Sequence, residues 1–340
     1  MSSTASQQSI RSIMRRSSLN EGDTLNILTF CTHERYEQGL CKTGHNFYSM
    51  NHGKTWNTDY GLIPANYQQI DIAPWHVNFD LILCHTSCER IMAAKQMQQL
   101  FNIPIMRHTH VLPDIRFDVQ SQVANFNAIE VDHDCFISRY NMEEWGKNLS
   151  KTTSFIEHGI DTNFWSGGDS YDRENVCISV VNDWPNRDWC CGWNLWQQTV
   201  GFNSPDQLPI KVFGSSPGLS EPASSLEALR EGYKKSSVFL NTSIHSPVPT
   251  VLMEAMACGC AIVSTDNCMI PEIVNHGENG LLANTPEELR EHCEYLLNDP
   301  DEARRLGDNA KATIINEFNL DRFVEGWNKQ FFNVIKNYRK

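Results

Sequence analysis

A chain of 340 residues is longer than one hydrophobic core usually serves, so the sequence predicts two domains. Apolar residues at 40% and charged residues at 20% exclude a disordered, collagenous or coiled-coil chain. A formal net charge of −13 excludes the clustered Lys and Arg that neutralise phosphates, and with them a nucleic-acid partner.

Residues 1–23 are rich in Ser and Gln, carry Arg11, Arg15 and Arg16, and hold almost no acid before Glu21. That composition predicts a flexible tail. Ile10, Ile13 and Met14 form one apolar turn beside the arginines, in the manner of a transit peptide or a membrane-touching arm. There is no apolar signal core, and no stretch nears the roughly 18 apolar residues that cross a bilayer, so the expected location is cytoplasmic.

From Leu25 onward, short apolar runs alternate with polar turns and helical stretches, the βα grammar of a parallel sheet. Strands are predicted at 25–30, 79–84, 103–107, 134–138 and 155–157, then again at 176–181, 210–213, 238–241, 261–265 and 281–283. The boundary between the two halves falls at 161–172. Thr285-Pro286-Glu287-Glu288 supplies a cap, a first-turn proline and a returning Glu, after which Leu289, Cys293 and Leu296 share one helical face. In the last segment, 323–340, Val324, Trp327, Phe331, Val334 and Ile335 recur at helical spacing and require something to pack on. The 12 cysteines are scattered through predicted strands and helices and read as reduced thiols. Cys84/Cys88, Cys190/Cys191 and Cys258/Cys260 lack a second half at zinc-site spacing, so no metal is predicted.

The chemistry concentrates in 243–282. Pro247 and Pro249 end a loop and open a helix whose first amides, near Thr250 and Val251, lack intrahelical acceptors. Such a terminus suits a diphosphate. Glu254 lies one turn further in, within reach of ribose hydroxyls, and Gly259 closes the helix before the strand at 261–265. The same residues also describe a plain capped helix between two strands with Glu254 in solvent.

This stretch resembles the donor-binding signature of the family 4 retaining glycosyltransferases of GT-B fold. In that family a loop leads into a helix with Glu-Ala-Met-Ala-x-Gly, then a strand, Pro-Glu-Ile-Val and Gly-x-x-Gly-Leu-Leu. Glu254, Ala255, Met256, Ala257, Gly259, Pro271, Glu272, Gly277 and Gly280 match in order. The resemblance implies an α/β protein of two Rossmann-like doubly wound domains. These are an acceptor-side domain at 24–160, a nucleotide-sugar domain at 161–322, and a C-terminal helix at 323–340 crossing back onto the first, with the donor in the cleft between. Residues 155–161 look like the family's joining segment. His110 matches the histidine that the family holds beside the donor sugar, although His108 and His110 also simply alternate out of a strand end.

Two positions depart from the family. Eight positions before Glu254, where a second carboxylate usually contacts the sugar, this chain has Ser246, with His245 or Asn241 as neighbours able to fill in. The usual Gly-Arg-Leu and following Lys are replaced by the segment 181–188, in which Arg187 is the cation available to clasp a diphosphate, or to pair with Asp188 at the surface. The loop 33–39 also lacks the family's glycine pair.

The resemblance implies a hexosyltransferase that uses a nucleotide-diphosphate sugar, retains anomeric configuration and needs neither metal nor cofactor. His110 and Arg187 carry the catalytic roles, and Ser246, Pro249, Thr250, Val251 and Glu254 the donor contacts. A glycan or lipid-linked acceptor is expected. Lys329, Lys336, Arg339 and Lys340 allow a peripheral touch on an anionic surface. A GT-B sugar-nucleotide epimerase and a binding protein without turnover remain as alternatives.

Overall fold

The computed structural model of the chain describes residues 5–30, 33–50, 55–58, 61–85, 88–166 and 172–338. It divides into two compact units, Met1–Glu157 with Asp321–Lys340, and His158–Leu320.

The first unit holds a seven-stranded parallel sheet made of β1 (Asn26–Thr29), β2 (Asn46–Met50), β3 (Tyr67–Ile70), β4 (Leu81–His85), β5 (Ile105–Thr109), β6 (His133–Phe136) and β7 (Thr153–Phe155). Its order is β3-β2-β1-β4-β5-β6-β7. Every residue of β4 and β5 is buried, as expected for parallel strands covered on both faces, and this is why 81–84 reads as an unbroken apolar run. The chain leaves β1 toward β2 and β3 on one side and toward β4 on the other. The sheet's switch point therefore lies between β1 and β4, where loops at the carboxyl ends of the strands part and leave a crevice.

Two expectations are corrected in this unit. Residues 5–18 form a helix, α1 (Ala5–Ser18), instead of a flexible tail. The cause is a buried acid: the Asp80 side chain, 3% exposed, lies 2.6 Å from Arg15 Nε, and Arg16 donates to the carbonyl of Asn102 (3.1 Å). Two of the tail's arginines are thus anchors, whereas Ile10, Ile13 and Met14 remain exposed. The strands β2 and β3 were absent from the expected set because β3 is an edge strand that buries only Tyr67, and Asn46 and Ser49 interrupt the apolar run of β2. The helix Leu320–Asn337 carries Trp327 and Phe331 fully buried and Phe323 nearly so. Its rings pack within this unit, Phe323 on Tyr36 at 5.6 Å between centroids, Trp327 on His108 at 4.8 Å and Phe331 on His45 at 5.8 Å. Lys336 pairs with Glu21, and Arg339 and Lys340 lie outside the described residues.

The second unit holds five parallel strands, β8 (Glu174–Val180), β9 (Ile210–Phe213), β10 (Ser236–Asn241), β11 (Ala261–Ser264) and β12 (Leu281–Leu282), in the order β12-β11-β10-β8-β9. Here β9 and β10 flank β8 on opposite sides, so the switch point lies between β8 and β10. The core gathers Trp184, Trp196, Val238, Ala261, Val263, Leu289, Cys293 and Leu296. Leu289, Cys293 and Leu296 reach it from one face of the helix Pro286–Asn298, whose cap is Thr285 accepting from the Glu288 amide (3.3 Å). Ten cysteines of the described residues are free thiols, and Cys88 is a residue whose side chain falls outside the description.

Candidate functional site

In the second unit the chain leaving β8 forms a 3₁₀ turn, Pro185–Arg187, and then a short helix, Asp188–Cys191. The chain leaving β10 forms the loop that carries Ser246 and enters the helix Thr250–Ala257. Main-chain bonds tie the two together: Ile244 N and His245 N both donate to Cys190 O, at 2.9 and 3.1 Å, while Thr242 Oγ1 donates to Cys191 O and Gly192 O. Arg187, Ser246 and Thr250 are thus mounted on the two segments that border the switch point.

The helix Thr250–Ala257 begins as its sequence suggests. Pro249 occupies the cap position in an extended conformation with no side-chain cap, and Leu252 N bonds back to Pro249 O at 3.0 Å. Thr250 is exposed and Val251 half-buried, so the uncapped end is open to solvent. Positive potential concentrates there. Gly259 ends the element with φ +77°, a conformation that glycine adopts without strain. Glu254 is 1% exposed, which removes the reading in which it is a solvated surface carboxylate.

Arg187 is exposed and donates to Asn182 O at 3.3 Å. Asp188 is engaged elsewhere, accepting from Asn194 N (2.8 Å) and Nδ2 (2.7 Å), so its oxygens cap the next helix. Asn241 is no stand-in for a missing carboxylate. Its amide donates to Ser264 Oγ (2.8 Å) and its oxygen accepts from Ser243 Oγ (2.9 Å), pinning the root of the loop, while Thr265 Oγ1 bonds Ser243 O. His245, facing Trp189 with centroids 6.0 Å apart, is the remaining neighbour of Ser246 named from the sequence.

His110 belongs to the first unit, at the carboxyl end of β5, among groups that the sequence did not single out. His110 Nε2 lies 2.8 Å from His85 Nδ1, and His85 Nε2 lies 3.3 Å from Glu37 Oε1. The two imidazoles are stacked, with centroids 5.0 Å apart, and Tyr36 meets His110 edge-on at 4.5 Å. His108 meets His110 edge-on, with ring centroids 4.1 Å apart, and has hydrogen-bond partners of its own. Its Nδ1 faces Cys135 O (3.1 Å), and since a carbonyl only accepts, Nδ1 carries the proton and Nε2 accepts from Tyr36 OH at 2.7 Å. Burial pushes the Tyr36 phenol well above its ordinary range, so it stays a donor. Glu37, His85 and His110 gather at the β1/β4 switch point from three separate segments, and only the strand order could have revealed them. Among the described residues no group of three or more His, Cys, Asp or Glu is arranged to hold a metal ion.

Comparison with known proteins defines the fold. The model of the family described as glycosyl transferases group 1 matches residues 222–313, which include the loop and helix at 246–257. Among solved structures, that of Anabaena HepE in complex with UDP is similar over 91% of this chain and 99% of that one, with TM-score 0.73 and 13% identity. Sucrose-phosphate synthase from Thermosynechococcus elongatus is similar over 90% of this chain and 98% of its own, with TM-score 0.69 and 14% identity. The chain therefore has the GT-B glycosyltransferase fold, with two Rossmann-like parallel sheets.

Curated relatives match over shorter stretches of the chain. Alpha-maltose-1-phosphate synthase of Mycolicibacterium smegmatis is 37% identical over 105 residues, 28% of this chain and 27% of that protein. N-acetyl-alpha-D-glucosaminyl L-malate synthase of Bacillus anthracis is 28% identical over 89 residues, 26% of this chain and 23% of that protein. These matches span about a quarter of the relatives' own length. No helix among the described residues is long and apolar enough to cross a membrane.

Proposed function

We propose that the protein is a glycosyltransferase that moves a hexosyl-type sugar from a nucleotide-diphosphate sugar to a glycan or lipid-linked acceptor, with retention of configuration and without a metal. The observation that carries this reading is the open, uncapped helix Thr250–Ala257, with buried Glu254 one turn inside it, at the β8/β10 switch point. Breaking the bond between the anomeric carbon and the diphosphate develops negative charge on the leaving phosphate and positive charge on the sugar. The amides of Thr250 and Val251, with Arg187, take up the phosphate charge as preorganised dipoles and a bidentate cation. Glu254 accepts from the ribose hydroxyls, Pro249 and Ser246 border the sugar, and His110 orients it. HepE, which resembles this chain in fold, has been crystallised with UDP-glucose, so UDP is the first nucleotide to try.

One observation favours a second reading. Ser246 stands where the resembling family has a carboxylate, and a binding protein that never turns its ligand over would tolerate that loss. Incubation with UDP-, GDP- and ADP-sugars and a mixture of acceptors separates the cases. Acceptor-dependent nucleotide release, with a product whose anomeric proton coupling matches that of the donor, supports transfer. An epimerised donor, or binding with no release, replaces it.

A further inference from the structure

The first unit holds a cavity of about 430 Å³ that the proposed reaction does not use, a volume within the range of about 300–1,000 Å³ usual for small-ligand pockets. All of its lining belongs to this one unit. It sits where β6 begins at His133 and β7 at Thr153, against the helix Leu320–Asn337. It is therefore at the amino ends of the strands, opposite the crevice at their carboxyl ends. Val131, Val334 and the Tyr338 ring are its apolar lining, too little to hold a lipid chain. Lys95 and Lys151 are matched in number by Glu130 and Asp132, so no net charge draws a phosphate. What remains is a row of amides. Gln330, Asn333 and Asn337 recur at three- and four-residue spacing and share one face of their helix. Asn333 and Asn337 have no hydrogen-bond partner among the described residues. His133, 4% exposed, also lines the cavity, with Nε2 at 2.8 Å from Ser154 Oγ and 3.0 Å from Gln330 Nε2. Burial lowers this histidine to about 4, so at neutral pH its ring is uncharged and carries one N–H. An amide nitrogen only donates, so Nε2 accepts from Gln330 and the hydrogen is on Nδ1, which has no partner among the described residues.

We propose that this cavity is a binding site for a neutral oligosaccharide, whose hydroxyls are met by the amides of Gln330, Asn333 and Asn337 and by His133. A sugar hydroxyl donates and accepts, and a primary amide does both as well, so the two pair in either direction; a lysine only donates and an ionised carboxylate only accepts. Gln330 gives its amide nitrogen to His133 and keeps its oxygen for the ligand. His133 adds a donor on a ring whose place is set by Ser154 and Gln330. Lys95 and Glu130, which have no ion pair among the described residues, add one donor and one acceptor at the wall. The ligand is held here without reacting, because the crevice of this unit is at the other edge of the sheet. The site needs no nucleotide sugar, so it stands apart from the transferase reading.

The test is a titration of the full-length protein, without nucleotide, with maltotriose, cellotriose, mannotriose and triacetylchitotriose, read by saturation-transfer NMR and calorimetry. At least one trisaccharide should bind with a Kd of about 1 mM or tighter. Asn333→Ala and Asn337→Ala should each weaken it roughly 2- to 12-fold, the effect of one net hydrogen bond. Both positions are exposed on a helix and alanine is a strong helix former, so the melting temperature should not fall. Asn337→Trp, which fills the cavity, should abolish binding, whereas His110→Ala in the crevice should leave it unchanged. Binding of none of the four sugars overturns the proposal, as does binding that the Asn333 and Asn337 variants leave intact. Binding lost in His110→Ala places the sugar in the crevice and overturns it too. Tripolyphosphate serves as the anionic probe: if it displaces the sugar and is itself weakened by Asn337→Trp, the cavity is an anion site and the neutral-ligand assignment falls. Transferase activity is read separately with nucleotide sugars, so its absence leaves a positive trisaccharide result standing.

Discussion

Glu254→Gln tests the donor site most directly, because the substitution keeps the side chain's shape and removes only its charge. Glu254 is 1% exposed and sits between buried Met253 and Ala255, so exchanging the carboxyl for an amide of the same shape opens no cavity. The fold should hold, with a melting temperature within a few degrees of wild type. Thr250 is the first residue of the helix and Glu254 the fifth, beyond the first turn where the helix dipole acts, so a change in affinity reports on a direct contact. A ribose hydroxyl donating to a carboxylate is worth about 1.5–3 kcal/mol, which converts to roughly 10- to 150-fold in Kd. Calorimetry with UDP on both proteins should show that loss, and UMP should show the same ratio because the ribose is common to both. Unchanged UDP affinity in a folded variant would refute the assignment and reduce 243–282 to scaffold.

Activity should survive EDTA if the diphosphate charge is met by Arg187 and the helix amides, and a turnover lost on chelation and restored by Mn²⁺ or Mg²⁺ would refute metal independence. Ser246→Ala should weaken the nucleotide sugar several-fold while leaving UDP nearly unaffected, since one hydroxyl can serve one sugar hydrogen bond; equal losses for both ligands would assign Ser246 to the loop's fold instead. Stability should fall in mild acid. Burial lowers His45 and His133 from the ordinary 6.5 to about 4, so the unfolded chain takes up these protons at higher pH than the native one. The stability they allow is complete above pH 6.5 and is lost as pH falls toward 4, at up to about 1.4 kcal/mol per pH unit for each histidine. Urea titrations between pH 7 and 5 read that slope, which His133→Gln should reduce by about half; no pH dependence over this window would show that both rings are already accessible to protons.

Interior strands were legible because burial on both faces leaves a continuous apolar run, as at 81–84 in β4 and 261–263 in β11. The edge strand Tyr67–Ile70 was not, since its outward Gln68 and Gln69 resemble a loop. The helix Ala5–Ser18 depends on Asp80, 65 residues away from Arg15, and no local pattern announces such an anchor. The same contrast divides the site. Residues 246–259 are contiguous, so helix start, glutamate and closing glycine could be read in one pass. Glu37, His85 and His110 come together only because β1, β4 and β5 are neighbours in the sheet, an order that periodicity does not encode.

The departures from the family's signature also have a physical place in the fold. In the second unit the two segments at the switch point are fastened by main-chain bonds to Cys190 O, by the Thr242 hydroxyl donating to Cys191 O and Gly192 O, and by close backbone approach. A Cβ on Gly192, whose φ is +64°, would lie 2.0 Å from Thr242 O, so this glycine is required by the contact itself. Scaffolding of this kind constrains the backbone and leaves the outward side chains free. Arg187 and Ser246, where this chain differs, are exposed and half-buried respectively, whereas Glu254, where it agrees, is buried within the helix. On the proposed function, the helix end assigned to the diphosphate is therefore kept, while the chain departs at Ser246, assigned to the sugar, and at Arg187, a cation assigned to the phosphate. Differences between this chain and its relatives should accordingly lie in which sugar it accepts before they lie in whether it binds a nucleotide.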